Sequence, residues 1–148
     1  MTYTAKTFNL PALQGLSEKQ VEVHLALYEG YVKHANLIME KVKTLTEADA
    51  ESNAYLIAEL RRRFAFEFDG MRMHEYYFEQ FEGEKGANFE SALAKTATEK
   101  YGSGDNFIKH IREVAGSRGI GWVIVYTDPV AQTIHTVFVG DHEVGQLA

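Results

Sequence analysis

Apolar side chains recur along the first half of the chain at alternating spacings of three and four. Val21, His24, Tyr28, Tyr31, Ala35, Ile38, Val42 and Leu45 follow one another in this way. That spacing places them on one face of an α-helix. Glu18, Lys19, Glu22, Lys33, Glu40, Lys41 and Lys43 fill the positions between them and give the helix a polar outer side. Ser17 followed three residues later by Gln20 forms a capping box that opens this helix, which is expected to run to about Thr44. A polar break over 46–52 leads into a second periodic stretch ending near Glu82, with the seam Leu60, Phe64, Glu67, Met71, His74, Phe78 and Phe81. Two long amphipathic helices joined by a short break predict an antiparallel hairpin. Each large apolar side chain it buries contributes about 1.5–3 kcal/mol, enough in sum to carry one or two polar residues in the seam.

From Gly83 the pattern changes. Residues 83–88 hold two glycines and no large apolar residue, so the boundary between two parts, 1–83 and 84–148, is expected here. Asn88 suits an N-cap for a helix from Phe89 to Tyr101 closed by Gly102, and a further helix fits Asp105 to Ala115. The apolar, β-branched run from Trp122 to Tyr126 suits a buried strand, Asp128 and Pro129 a turn, and Thr133 to Val139 a return strand. The fold class is therefore α+β: a long N-terminal helical hairpin followed by a small α/β layer with an antiparallel sheet. Two strands alone are marginal, and the 148 residues offer no third, so exposed apolar surface and association are expected.

Composition narrows the chemistry. The chain has no cysteine, which excludes disulfides and thiolate metal sites, so any metal must sit on His, Asp or Glu. The net charge of -6 argues against nucleic acid, whose phosphates call for a basic surface. The one basic run, Arg61 to Arg63, points in three directions on a helix and reads as a solvated or locally paired set. No apolar segment approaches the roughly 20 residues of a membrane span, and none near the N-terminus suits a secretory signal. A cytoplasmic protein is the resulting expectation.

Of the six histidines, His34, His110 and His135 fall at polar or surface positions, whereas His24 and His74 lie in the apolar seams of the two long helices. A buried imidazole needs a hydrogen-bond partner or a metal, since an unsatisfied one costs about 1–3 kcal/mol. Two facing each other across a hairpin leave both readings open: satisfied core histidines, or ligands of a shared metal. The glycines Gly116, Gly119 and Gly121 precede a strand instead of following one, so they are turn residues and not a dinucleotide loop. No nucleophile elbow is present to support covalent hydrolysis.

Four blocks carry a family likeness. The stretch from His24 through Tyr31, Val32, Ala35 and Asn36, the run Met73-His74-Glu75-Tyr76-Tyr77-Phe78, the block Tyr101-Gly102-Ser103-Gly104-Asp105-Asn106-Phe107, and Gly119-Ile120-Gly121-Trp122 occur in order over nearly the whole chain. Together they resemble the iron/manganese superoxide dismutases. The resemblance implies that His24 and His74 are metal ligands and that Tyr31 is the gateway tyrosine at the substrate funnel. It also implies that Trp122 lines the metal pocket and that His142 stands where the family places a glutamine or histidine bonded to metal-bound solvent. It further implies one iron or manganese ion, superoxide as substrate and a homodimer. His24 and Tyr31 are seven residues apart, one fewer than is common in the family, and Gly70 matches the manganese-type pattern while His142 leaves the metal open. The family's remaining ligands, an aspartate and a histidine in Asp-x-Trp-x-His, have no match here. The expectation is therefore a fragment or shortened form of such an enzyme, weak or inactive alone. The alternative is a non-catalytic structural or interaction protein on the same scaffold.

Overall fold

The computed structural model describes residues 2–83 and 90–142. They divide into two compact units, one holding residues up to Gly83 together with His142, the other ending at Asp141.

In the first unit, helix α1 spans Glu18–Asp49 and helix α2 Ala54–Glu79, packed as an antiparallel hairpin. The capping box is formed as expected: the Ser17 side chain accepts from the Gln20 amide and the Gln20 side chain accepts from the Ser17 amide. α1 runs one turn beyond the expected end, so the break is shorter than the polar sequence suggested. Thr46 bonds back through its hydroxyl to the Val42 carbonyl at 2.7 Å, and the Asp49 carboxylate collects the Glu51 and Ser52 amides where the chain turns. The buried layer consists of Tyr28, Val32, Met71 and Phe78, with Tyr31, Phe68 and Tyr77 packed against it.

Residues ahead of α1 have no regular structure, yet they are fastened to the hairpin at every third residue. The amides of Tyr3, Lys6 and Asn9 donate to Asn36 Oδ1, Tyr28 Oη and Glu82 Oε1 at 2.7, 2.8 and 2.6 Å. Asn36 returns a bond to the Tyr3 carbonyl at 2.8 Å, and Phe8 packs on both Tyr28 and Phe78. This strap lacks periodicity in apolar residues and was not foreseen from the sequence. Its bonds run instead from main-chain amides to side chains.

In the second unit, α3 spans Ala92–Tyr101, α4 Gly104–Ala115, β1 Gly121–Asp128 and β2 Thr133–Gly140. Ser91 caps α3 and Ser103 caps α4, each accepting an amide at 3.1 Å. The cap expected at Asn88 lies outside the described residues, but the helix expected from Phe89 begins only at Ala92, because Ser91 is extended and takes the cap. Asp128 makes the expected turn by accepting the Val130 and Ala131 amides, and Gln132 takes a positive φ of 52° to close it. The strands pair antiparallel from Gly121 opposite Gly140 to Asp128 opposite Thr133. β1 is half-buried and not the buried strand its apolar run suggested, because among the described residues it pairs with β2 alone and Tyr126 is exposed. Gly121, read as a turn residue, opens β1. Ala97, Phe107 and Ile134 form this unit's core. Among the described residues no helix is long and apolar enough to cross a membrane.

Candidate functional site

The helical hairpin brings His24 of α1 and His74 of α2 together edge to face, with ring centroids 4.8 Å apart. Both rings sit among aromatic neighbours: Tyr77 and Phe78 lie 5.0 Å from His24, and Tyr31 lies 5.1 Å from His74. His74 is 3% exposed, and its Nδ1 lies 2.6 Å from the Gly70 carbonyl oxygen one turn earlier. A carbonyl only accepts, so Nδ1 carries the hydrogen and donates, which makes Nε2 the unprotonated nitrogen of the neutral ring. Burial, reinforced by the neighbouring His24 and His142 against the pull of the Gly70 carbonyl, lowers the His74 pKa to about 4. Burial lowers His24 as well. Both imidazoles are thus held in the neutral form that metals require.

His142 joins this cluster from far along the chain. Its ring is buried, lies 5.6 Å from His74, and shares a 2.8 Å hydrogen bond between Nε2 and the Tyr31 hydroxyl. Phe66 also lies against His142 at 5.0 Å, and the Arg63 guanidinium stacks on Phe66 at 4.0 Å while bonding Glu67. Four of the five residues singled out in the sequence, His24, Tyr31, His74 and His142, therefore lie in one unit and in ring contact. The fifth, Trp122, stands in β1 of the other unit, paired with Val139. The remaining described histidines have other neighbours. His34 is half-exposed with its Nδ1 3.9 Å from Glu67, His110 stacks on Tyr101, and His135 stacks on Tyr126 across the strand pair.

A groove of about 390 Å³, lined by Leu13, Leu16, Val23, Leu27, Tyr77 and Phe78, opens onto His24. Leu16, Val23 and Leu27 are exposed.

Sequence reasoning placed Glu67 in the apolar seam but missed the buried Asp69 and Glu75 on the same helix. Glu75 is covered by the Tyr28 hydroxyl, Arg72 and Lys6. Only the three-residue spacing of Arg72 and Glu75 on the helix could have signalled it.

The donors fit iron or manganese in kind, since neutral imidazole suits both, but not in number. Among the described residues no group of three or more His, Asp or Glu side chains is arranged to hold a metal ion.

No family model matches the chain. It is 28% identical over 137 residues to the superoxide dismutase [Fe] of Saccharolobus solfataricus, covering 90% of this chain and 65% of that protein. It is 35% identical over 121 residues to the superoxide dismutase [Fe] of Aquifex pyrophilus, covering 78% of this chain and 56% of the relative. A shorter match, 31% identical over 78 residues, joins it to superoxide dismutase [Mn] 2 of Halobacterium salinarum, covering 53% of this chain and 38% of that protein. The chain spans less than two thirds of the length of these relatives, and most of its own length is similar to iron superoxide dismutases.

Proposed function

We propose that this chain supplies the two-imidazole half of a superoxide dismutase centre, with His24 and His74 as ligands to iron or manganese. The observation that carries the reading is the meeting of two neutral imidazoles, one from each long helix, at 4.8 Å beside a hydrogen-bonded tyrosine and histidine. The naming of relatives as iron and manganese superoxide dismutases supports it. An aspartate and a further histidine, which the 148 residues do not offer in the family's motif, would complete the set. Homodimeric association belongs to the same proposal.

When bound, such an ion supplies one-electron exchange with superoxide, so that two superoxide anions and two protons give oxygen and hydrogen peroxide. The chain's own residues account for the rest. The Gly70 carbonyl fixes the His74 tautomer and so the nitrogen it presents. Tyr31 and Phe78 pack against the buried His74, while the groove leaves His24 open on one side. Tyr31 and His142 hold a proton between Oη and Nε2 beside His74.

The second reading, a non-catalytic scaffold, draws on the close ring packing of His24 against Tyr77 and Phe78, which suits a side chain kept for packing. Metal content and superoxide consumption separate the two. The 148-residue chain is expected to bind iron or manganese below stoichiometry and to consume superoxide weakly, with both lost in His74→Gln. Activity indifferent to metal or to His74→Gln would reject the dismutase reading. Stoichiometric metal with high activity would reject the incomplete ligand set.

A further inference from the structure

The two outer edges of the sheet differ. The Asp141 amide donates to the Ile120 carbonyl at 2.9 Å, so 120 and 141 form a bonded pair just beyond the first residues of the ladder. In an antiparallel ladder bonded partners alternate with non-bonded ones. Trp122, Ile124, Tyr126 and Asp128 therefore bond to β2, whereas Gly121, Val123, Val125 and Thr127 turn their amides and carbonyls away from it. The same alternation turns Ile134, Thr136 and Phe138 outward on β2, and there α3 reaches the edge: Lys100 Nζ donates to the Ile134 carbonyl at 2.5 Å. Among the described residues no bond of this kind reaches the outer edge of β1, whose one strand neighbour is β2.

Edge strands are ordinarily kept single by charges, prolines or bulges. From Gly121 to Thr127 β1 has no charged residue and no proline, and its register with β2 is unbroken. All of these residues except Gly121 are β-branched or aromatic, the types that favour strands. A ribbon of two strands is marginal, and a third or fourth strand makes it stable. A second copy of β1 can supply them. Turned about Ile124 by a two-fold axis, two antiparallel β1 edges bring Gly121 opposite Thr127 and Val123 opposite Val125, so the four outward residues of each copy are all bonded in a four-stranded sheet. Charge selects this direction. Arg118 precedes β1 and Asp128 ends it. Antiparallel pairing brings each Arg118 towards the second copy's Asp128, whereas parallel pairing would set one Asp128 beside the other.

We propose that the outer edge of β1 is the interface at which two copies of this chain join, antiparallel and two-fold about Ile124. The homodimer itself belongs to the reading above, whereas this choice of surface rests on the strand contacts alone.

Sedimentation of the 148-residue chain over a concentration series gives the dimer dissociation constant, for comparison with Val123→Pro and Thr127→Pro. Each variant removes one outward amide and leaves the bonds to β2 in place, and the two-fold axis counts each loss twice. Both are expected to raise the constant by about tenfold or more, with circular dichroism and the thermal midpoint reporting the fold. A second measurement uses the absence of cysteine from the chain. On the axis Ile124 faces its own copy across a non-bonded pair, about 4.5 Å between Cα atoms, which a disulfide spans. Ile124→Cys is expected to give a disulfide-linked dimer under mild oxidation, and Tyr55→Cys, at an 82% exposed position in the first turn of α2, to give none. A chain that stays monomeric throughout the series would overturn the proposal. So would a constant within about twofold of wild type in Thr127→Pro, or equal cross-linking at the two cysteine positions. Should Val123→Pro fail to fold, Thr127→Pro, at an exposed position, decides. Metal enters neither measurement, so failure of the dismutase reading leaves this result standing, and failure of the interface leaves that reading untouched.

Discussion

Acidification of the metal-free chain from pH 6.5 to pH 4 is expected to remove about 3 kcal/mol of its stability through His74 alone. The sign follows from where the proton binds. In the unfolded chain His74 titrates near its ordinary 6.5, whereas in the fold burial depresses it to about 4. Between these values the unfolded state takes up a proton that the folded state refuses, so acid favours unfolding. The contribution is fully present above 6.5 and is lost as the pH falls to about 4. His24, also depressed by burial, acts in the same direction. Denaturant unfolding at a series of pH values measures this, with His74→Gln as the comparison, since glutamine does not titrate. The slope between pH 6.5 and 4 should shrink markedly in the variant. A flat wild-type profile, or the same slope in both proteins, would show that the ring is not held as described.

Gly70→Ala is expected to lower stability by about 1–3 kcal/mol, although alanine is the better helix former by about 1 kcal/mol. An added Cβ at this position would meet the Tyr31 ring at 2.7 Å from Cδ1, 2.9 Å from Cε1 and 3.0 Å from Cγ. The ring cannot withdraw freely, because His74 and His142 lie against it at 5.1 and 4.8 Å, with Phe66 at 6.2 Å. Relief must therefore move Tyr31 away from His142, or move the Gly70 carbonyl away from His74 Nδ1. Gly30, in α1, has nothing within 4 Å of an added Cβ, so Gly30→Ala should stabilise by about 0.5–1 kcal/mol. Thermal unfolding of the two variants gives opposite shifts if Gly70 is kept small by Tyr31. A stabilised Gly70→Ala would contradict that close approach.

The parts of the fold read from the sequence are those that obey a period or a cap. The three-and-four spacing from Val21 to Leu45 gave α1 its buried face, Ser17 and Gln20 gave its start, and Asp128 gave the turn between the strands. The end of α1 escaped because residues 46–49 look like a polar break, yet Ala and Glu are good helix formers and Thr46 bonds back along the helix. The strap before α1 escaped because its bonds are made by main-chain amides, which no side-chain pattern reports. Glu75 escaped because two of the side chains that cover it, Tyr28 of α1 and Lys6 of the strap, lie far from it in sequence. The placement of His24 and His74 in facing seams was legible, because helix periodicity alone assigns them to faces. Their separation was not, since it depends on the register of two helices, and a one-turn error leaves the pattern unchanged. His142 lies 68 residues beyond His74. Only the resemblance, not the local sequence, brought it to the cluster.

Addition of Mn2+ to chelator-treated chain, followed through the imidazole nitrogen resonances, tests most directly whether one imidazole from each helix serves a common ion. The signals of His24 and His74 should broaden together at the lowest Mn2+ concentration, with His34, His110 and His135 affected only well above it. Broadening of His24 and His74 at different concentrations, or no earlier than the other three, would contradict a shared site.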